Sequence, residues 1–453
     1  MRIKATFTLL LMLTPVFTTA HAEDLMPVFE AAAVQLTSSM SQCSERIWPG
    51  YDLKKQGVLM VQPGAAGLLW LGDGTREVIA SADVPAPAFG GMFGAIEFRG
   101  RELMAVNPTG DADFSSASGL VRLATHEIFH VWGQTNWKPM QGLRGTLYPV
   151  MDEPRMIRHM LFERMREYFL SGGKNTGSLK KAAFWYKRWT DEFTGETTTT
   201  TDALEGTARY VEFMSAAIGS LGCAADDSTV QNAIREMVIG KMGGRVDSEQ
   251  FSLDDEGYEI GGLAALILRF INKDMKWQKT MAGGATPLTA LLKKVKPKSD
   301  KAPAELIAKF KAAGEKQNAE LGQILDPDLK ALDSGDFVRL QIPETAMPAT
   351  FSPTGFYLPT DWPDVIAMPL AVGLVMTDEW SLKADSGKVM LQILDSPCGG
   401  GWTVVVAKKD AKIEDGRIQV ASPGLSGEMN GHAKTAPDGA EWFCGTGSQK
   451  HVH

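Results

Sequence analysis

The sequence has few cysteines and few histidines, and it has no CxxC pair. Four cysteines without such a pair exclude a zinc ribbon and a thioredoxin-like redox motif. After its N-terminal segment the chain also lacks an uncharged apolar run of the roughly 20 residues that a bilayer-spanning helix needs. The most apolar later stretch, 263–271, is interrupted by Arg269. We therefore expect no stable insertion into a membrane.

Basic residues are fewer than acidic ones. The 453 residues include 46 Lys and Arg against 54 Asp and Glu, which gives a formal net charge of -8. A nucleic-acid-binding protein usually shows a basic face, so nucleic acid is not an expected partner. The hydrophobic share of 44% and the charged share of 22% are ordinary for a globular protein. The length predicts two or three domains.

The first 22 residues have the pattern of a secretory signal peptide. Arg2 and Lys4 form a short basic start, and residues 5–17 are mostly apolar. The small-x-small pattern of a cleavage site follows at 20–22 (AHA). We therefore expect residues 1–22 to be removed and the mature protein to be periplasmic or secreted.

An even number of cysteines fits such an oxidising compartment, where disulfides form and persist. Four cysteines allow three pairings. Cys398 and Cys444 share the C-terminal region, so we expect them to pair with each other, which leaves Cys43 to pair with Cys223.

The distribution of apolar residues predicts an α+β fold, with a small β-sheet beside a mainly helical core and a C-terminal β-rich domain. Residues 24–44 are typical of a helix, and 57–106 alternate short apolar runs with turn residues. Threonines 197–201 are expected to form a loop, with Thr201 or Asp202 capping the next helix. The predicted domains are 23–115, 116–333 and 334–453. The predicted helices of the middle region are 118–133, 154–170, 178–193, 202–221, 228–241, 259–272 and 304–324.

The chemistry is concentrated in HEIFH, residues 126–130. His126 and His130 are four residues apart, so on a helix both imidazoles lie on one face and can bind one metal ion. Glu127 lies beside them, within reach of a water on that metal. A zinc ion lowers the pKa of such a water towards about 7, and Glu127 would act as the general base.

Two histidines do not complete a catalytic zinc site, which has three protein ligands and an open position. No histidine follows in the HExxHxxGxxH spacing, because position 136 is Asn. The best remaining candidate is Glu205, in the helical stretch 202–213, where Gly206 permits the close approach of a backbone or a substrate. Glu212, seven residues later on the same helix face, is the alternative ligand.

These motifs resemble the gluzincin zinc metallopeptidases. HEIFH followed by a helix carrying EGTARY (205–210) is similar to their arrangement, in which the two HExxH histidines and a downstream glutamate bind zinc. Similar stretches around the third ligand recur in several gluzincin groups, including collagenase-like ones. The resemblance implies a zincin-like catalytic core, with His126, His130 and Glu205 binding one catalytic zinc ion and Glu127 as the general base.

The chain departs from that pattern in two places. His130 and Glu205 are 75 residues apart, which is longer than in the best-known families. Position 209 is Arg, so the Glu-x-x-x-Asp version of the motif is absent. The chain is therefore no close relative of thermolysin.

A further resemblance, to aminopeptidase N-like gluzincins, concerns two short stretches within the roughly 90–275 that the likeness covers. Tyr258-Glu-Ile-Gly is similar to their Tyr-Glu-Lys-Gly, which implies that Tyr258 donates a hydrogen bond to the oxyanion of the transition state. Tyr210 and His159 are the competing donors. GAIEF (94–98) is similar to their Gly-x-Met-Glu-Asn strand, which implies that Glu97 holds a substrate amine.

The sequence and the resemblance together predict a zinc metallopeptidase that acts on a peptide or protein substrate. Two alternatives stay open. One is a zinc-bearing binding or assembly factor of the cell envelope that does not cleave, and the other is a hydrolase of cell-wall peptide. The C-terminal region 337–453 matches no pattern that would choose among them.

Overall fold

The computed structural model describes most of the chain between Asp24 and Thr446. The described residues are 24–51, 56–89, 91–108, 114–138, 144–196, 199–247, 251–274, 276–343, 353–371, 374–376 and 381–446. They form the predicted α+β fold, with a helical core and a C-terminal β-rich part. The predicted signal peptide over 1–22 lies outside the described residues.

The first helical segment packs against a small sheet. Helix α1 (Met26–Leu36) continues through a π-helical turn (Thr37–Ser41) into α2 (Gln42–Ile47). The indole of Trp70, on the second strand of the sheet, donates to the Thr37 hydroxyl at 3.0 Å. The strands of the sheet are β1 (Gly57–Met60), β2 (Gly67–Leu71), β3 (Arg76–Ile79), β4 (Phe93–Phe98) and β5 (Arg101–Val106).

This five-stranded sheet has the order β3-β2-β1-β5-β4. Strands β1 and β5 are parallel and the other neighbours are antiparallel, so β4 is an antiparallel edge strand. Met104 and Val106 of β5 face the helical core, and Leu103 faces a separate small core on the other side of the sheet. Alternate residues of a strand point to opposite faces, so each sheet face buries its own apolar set.

The helical core follows the sheet along the chain. A π-helical turn, Phe129–Gly133, extends the first of its helices, and another, Ile267–Ile271, extends the helix that ends at Leu266. The helices are α3 (Ala117–Ile128), α4 (Asp152–Leu170), α5 (Thr176–Glu192), α6 (Thr199–Leu221), α7 (Asp227–Lys241), α8 (Gly244–Asp247), α9 (Leu253–Leu266), α10 (Gln278–Met281), α11 (Pro287–Leu292) and α12 (Ala304–Leu332).

The central helices α6 and α9 approach each other closely through glycines. A Cβ on Gly206 would lie 2.5 Å from Cα of Gly261, and a Cβ on Gly261 would lie 2.3 Å from the carbonyl oxygen of Asp202. Any side chain there would force the helices apart. The prediction that Gly206 permits a close approach is confirmed, and its neighbour is the backbone of α9.

The C-terminal part is a twelve-stranded sheet that includes one strand from the helical region. Its order is β10-β11-β16-β17-β7-β13-β12-β9-β8-β6, with β15 beside β16 and β14 beside β15. The strands are β6 (Thr146–Tyr148), β7 (Phe337–Pro343), β8 (Tyr357–Pro359), β9 (Val365–Pro369), β10 (Leu374–Met376), β11 (Ser381–Ala384), β12 (Val389–Ile393), β13 (Gly401–Ala407), β14 (Ala411–Glu414), β15 (Arg417–Ser422), β16 (Leu425–Thr435) and β17 (Glu441–Gly445).

The sheet and the helical core share buried surface. Strand β6 pairs in parallel with β8, so that Thr146 lies opposite Tyr357. Val389, Leu391 and Val405 belong to the same hydrophobic cluster as the helical core. The other face of the sheet has its own core, which contains Leu340, Val404 and Met429.

Several local expectations differ from the structure. Helix α12 ends at Leu332, beyond the predicted 324, and includes Pro327. The buried side chains of Leu325 and Leu329 continue its apolar face past the proline. Helix α6 begins at Thr199, so Asp202 is inside the helix and accepts from Arg158 at 2.9 Å, while 197 and 198 lie outside the described residues. Helix α9 begins at Leu253, six residues before the predicted 259. Strand β6 and helices α8, α10 and α11 were not predicted, because three to six residues carry too little periodicity.

Both predicted disulfides are confirmed. Cys43 pairs with Cys223, and Cys398 pairs with Cys444. Over the ranges given above, every helix is too short or too polar to cross a membrane. Two disulfides fit an extracellular or periplasmic location.

A buried ionic cluster joins α4, α6 and α9 through five side chains. Arg155 pairs with Glu196 and Glu256, and Arg158 pairs with Glu256 and Asp202. The five groups are two guanidinium groups and three carboxyl groups, so the cluster has one surplus acid. Burial, opposed by the two arginines, raises the pKa of Glu256 from 4.5 to about 7.

This surplus acid predicts a pH-dependent stability. Between pH 4.5 and about 7 folded Glu256 keeps a proton that the unfolded chain releases, so the free energy of unfolding decreases as pH rises through this window. Glu256→Gln stays neutral and keeps an acceptor oxygen, so it should remove most of that decrease. Urea unfolding at pH 5 and pH 8 measures it, with Glu320→Gln on the exposed side of α12 as the control. An unchanged decrease in Glu256→Gln would assign the pH dependence to other groups.

Candidate metal centre

The two motif histidines come from one helix and the turn that extends it. The Ser116 side chain caps α3 by accepting from the Gly119 amide at 3.1 Å. His126 lies in the last turn of α3, and His130 lies in the π-helical turn that follows. A Cβ on Gly133 would lie 2.3 Å from the Phe129 ring, so glycine leaves the space that this ring occupies. π-Helical turns are frequent at functional sites.

The structure brings His126, His130 and Glu205 together. One carboxylate oxygen, Glu205 Oε2, lies 3.2 Å from His126 Nε2 and 3.0 Å from His130 Nε2, and the two Nε2 atoms are 3.0 Å apart. His126 is 6% exposed and Glu205 is 4% exposed, so water hardly reaches either group. These three side chains form a buried group that could bind a metal ion.

The other ring nitrogen of each histidine faces an oxygen. His130 Nδ1 lies 2.8 Å from Gln134 Oε1. The amide of Gln134 has its nitrogen fixed, because Nε2 donates to Leu204 O at 2.8 Å and to Thr207 Oγ1 at 2.9 Å. Nδ1 of His130 therefore carries the proton that Gln134 accepts, which turns Nε2 towards His126 and Glu205.

Glu212 lies near the other ring nitrogen of His126. Its Oε2 lies 3.3 Å from His126 Nδ1, and its Oε1 accepts from Arg122 at 2.7 Å and from Arg209 at 2.9 Å. The structure thus places Glu212 behind His126, on the side of the ring away from Glu205. The Arg209 guanidinium holds this carboxylate and also donates to Glu259 at 3.1 Å.

Nε2 of His126, Nε2 of His130 and Oε2 of Glu205 therefore lie within 3.2 Å of one another. Burial opposes ionisation of Glu205, but the two histidines and the charge of Arg144 hold its pKa well below its usual range. Burial lowers the pKa of His126, but the carboxylates of Glu205 and Glu212 outweigh it and raise this pKa to about 9. A proton on His126 can therefore supply positive charge at the site. Positive charge between the three side chains is therefore electrostatically favourable.

Glu127 lies beside this group and lines a cavity of about 530 Å³. Burial raises the pKa of its carboxyl group, although the two histidines oppose that shift. A raised pKa suits a group that takes up and releases a proton near neutral pH. The cavity is lined by charged, polar and aromatic side chains, which include Phe93, Phe114, Arg122, His126, Glu127, Arg209, Glu212, Lys241, Arg245, Tyr258 and Glu259.

Tyr258 lies over the ring of His126. The two rings are stacked, with centroids 5.4 Å apart and an interplanar angle of 9°. Arg144 Nη2 donates to the Tyr258 hydroxyl at 3.4 Å, so the hydroxyl proton remains for another acceptor. Burial, with the charge of Glu205, raises the pKa of Tyr258 well above 10, which keeps the hydroxyl protonated.

The competing residues lie elsewhere. Tyr210 is fully buried, with its ring 5.2 Å from that of Trp277, and His159 is buried on α4, 5.2 Å from the ring of Phe310. Glu97 is exposed on the edge strand β4, and none of these three lines the cavity beside Glu127.

Sequence reasoning missed Gln134 and Arg144. Gln134 follows His130 by four residues, and this spacing on one helix face was a usable signal. Arg144 carried no signal, because its partners Glu205 and Asp254 are distant in the chain.

Substitutions of the two candidate ligands, Glu205 and Glu212, should cause different losses of metal. Glu205→Ala removes the oxygen that faces both histidines, so most of the bound metal should be lost. Glu212→Gln leaves the three ligands in place and removes only the charge behind His126, so the metal affinity should fall about 10–100-fold. Elemental analysis after dialysis and a competition titration measure these changes, with Glu320→Gln as the control. Full metal content in Glu205→Ala, with loss in Glu212→Gln, would make Glu212 the ligand.

No family model, no curated protein and no solved structure matches this chain.

Proposed function

We propose that this protein is a periplasmic or secreted zinc metallopeptidase of the gluzincin type. The proposal is carried by the convergence of His126, His130 and Glu205 on one point, with Nε2 of both imidazoles turned towards it. Glu127 supports it, because this acid lines the cavity beside that point.

Zinc fits the donor set. Two imidazole nitrogens and one carboxylate oxygen are the ligands of many catalytic zinc sites, which keep a further position open. Among the residues that the structure describes, the group has three members, so it leaves that position for water or substrate. Gln134 and Glu212 face the remaining nitrogens, as partners that orient zinc-bound histidines do.

The proposed reaction is hydrolysis of a peptide bond. A bound zinc ion supplies a Lewis acid, which polarises the carbonyl and makes water nucleophilic near neutral pH. Glu127 takes a proton from the attacking water as the new C–O bond forms. Glu127 then passes that proton to the amine nitrogen as the C–N bond breaks. Tyr258 donates its hydroxyl proton in a hydrogen bond to the oxyanion that develops on the carbonyl oxygen.

Strand β4 offers a place for an extended substrate. It is the edge of the five-stranded sheet, and its first residue, Phe93, lines the cavity with His126 and Glu127. An extended peptide can add to such an edge by backbone hydrogen bonds. Glu97 is four residues further along, about 13 Å at the rise of a strand. We therefore propose cleavage of a chain that runs along β4, without an amine-holding role for Glu97.

Replacing the proposed general base, Glu127, should reduce activity without a loss of metal. Glu127→Gln keeps the shape of the side chain but has no charge to accept a proton, so turnover should fall at least about 100-fold. Mass spectrometry of a diverse peptide library, with and without a chelator, measures cleavage, and elemental analysis measures the metal. Glu236→Gln, an exposed acid on α7, is the control.

The activities of the natural protein and of Glu127→Gln distinguish three cases. Chelator-sensitive cleavage by the natural protein that Glu127→Gln abolishes supports the proposal. Full activity of Glu127→Gln would contradict the mechanism. No cleavage of peptide or of cell-wall peptide by folded, zinc-loaded protein would instead favour the non-cleaving envelope factor.

Removing the Tyr258 hydroxyl should weaken the stabilisation of the transition state. Tyr258→Phe keeps the ring over His126 and removes the hydroxyl, so kcat should fall about 100–1000-fold while KM changes little. Tyr186→Phe, on α5 and away from the cavity, is the matched control. Steady-state kinetics on a cleaved library peptide measures both constants. A rise in KM with unchanged kcat would make Tyr258 a substrate-binding residue.

A further inference from the structure

We infer that Arg144 is a positioning residue of the metal site and that the C-terminal sheet holds it in place. The inference about metal binding stands on the described contacts alone, and its extension to catalysis rests on the proposed function. It gives the β-rich part a role in the site, although that part contributes none of the three candidate ligands.

Arg144 contacts both Glu205 and Tyr258. Its Nη2 lies 3.0 Å from Glu205 Oε1 and 3.4 Å from the Tyr258 hydroxyl. Glu205 therefore divides its two oxygens between different partners, because Oε2 faces the histidines and Oε1 faces the guanidinium. This division keeps one oxygen available to a metal and fixes the rotation of the carboxylate.

Arg144 is itself anchored at the start of α9. Its Nε and Nη2 donate to the two oxygens of Asp254 at 2.9 and 2.8 Å, a bidentate pair. Such paired bonds fix the plane of a guanidinium, which a lysine ammonium would not do. The backbone amide of Leu253, the residue before Asp254, donates to Thr146 Oγ1 at 2.8 Å. The segment that follows Arg144 is therefore also bonded to the start of α9.

The other side of this segment is held by the C-terminal sheet. The Thr146 amide donates to Phe356 O at 2.8 Å, at the beginning of the parallel pairing of β6 with β8. A Cβ on Gly145 would lie 2.5 Å from Leu358, so the segment is pressed against β8. The Arg144 guanidinium lies over the ring of Phe356, 5.7 Å from its centroid. Strand β8 thus sets the backbone from which Arg144 reaches the metal site.

The test measures metal binding with Co²⁺ as a spectroscopic probe. Arg144→Ala should weaken Co²⁺ binding about 10–100-fold and change the visible absorption of the bound ion, because Glu205 becomes free to rotate. Arg144→Lys keeps the charge without the paired bonds, so its affinity should lie between those of the natural protein and Arg144→Ala. Phe356→Leu, in the C-terminal sheet, should shift the spectrum in the same direction by a smaller amount. Arg417→Ala, which removes an exposed ion pair on β15, is the control.

The outcomes separate this inference from the proposed function. Folded Arg144→Ala with the affinity and the spectrum of the natural protein would overturn it. If Arg144→Ala does not fold, the same two readouts on Arg144→Lys and Phe356→Leu decide, and unchanged values in both would overturn it. If Arg144→Ala changes the Co²⁺ spectrum but the natural protein cleaves no peptide, the inference is supported and the proposed function is contradicted. For an active protein, kcat should fall more than KM rises in Arg144→Lys.

Discussion

The contact between the backbones of α6 and α9, which Gly206 and Gly261 allow, sets the geometry of the whole site. Glu205 precedes Gly206 by one residue, and Tyr258 precedes Gly261 by about one helical turn. Both side chains are therefore placed by the rigid geometry of helices from the point where the helices touch. The His126 ring meets the carboxylate at its edge and the tyrosine ring at its face. A bulkier residue at the contact would move these groups apart without touching either of them.

Helix α6 also arranges the charges. Its buried acids Asp202, Glu205 and Glu212 each meet arginines, and most of these arginines come from other elements of the fold. Burying charges is costly unless each one is paired and hydrogen-bonded. The pairs therefore act as constraints on position, because moving α3, α4 or the start of β6 would take an arginine away from a buried carboxylate. These constraints hold the three candidate ligand atoms within about 3 Å of each other.

The sequence predicted the parts of the site that depend on local spacing. The four-residue spacing of His126 and His130 placed them on one helix face, and the Glu-Gly pair at 205–206 indicated the helix that completes the group. Whether these residues bind zinc and cleave peptides stays a prediction. The helical core and the β-rich part followed from periodicity, which is strong over long segments.

The rest depends on contacts between distant parts of the chain. Arg144 has no motif around it, and only the pairing of β6 with β8 shows why it lies at the site. Glu212 was an alternative ligand in sequence, because a helix face does not tell which of two acids points at a metal. Its contacts with Arg122 and Arg209 turn it behind His126. Such orientations follow from packing, which a single sequence does not reveal.

The pairing of β6 with β8 also bears on how the protein is made. Thr146 lies opposite Tyr357, and 357 - 146 = 211 positions separate them. Synthesis runs from the N-terminus, so HEIFH and the glutamate helix are complete long before β6 has a strand to pair with. A contact between such distant positions closes late and slowly in folding. The pairing that holds the backbone beside Arg144 therefore forms only after most of the chain has been synthesised.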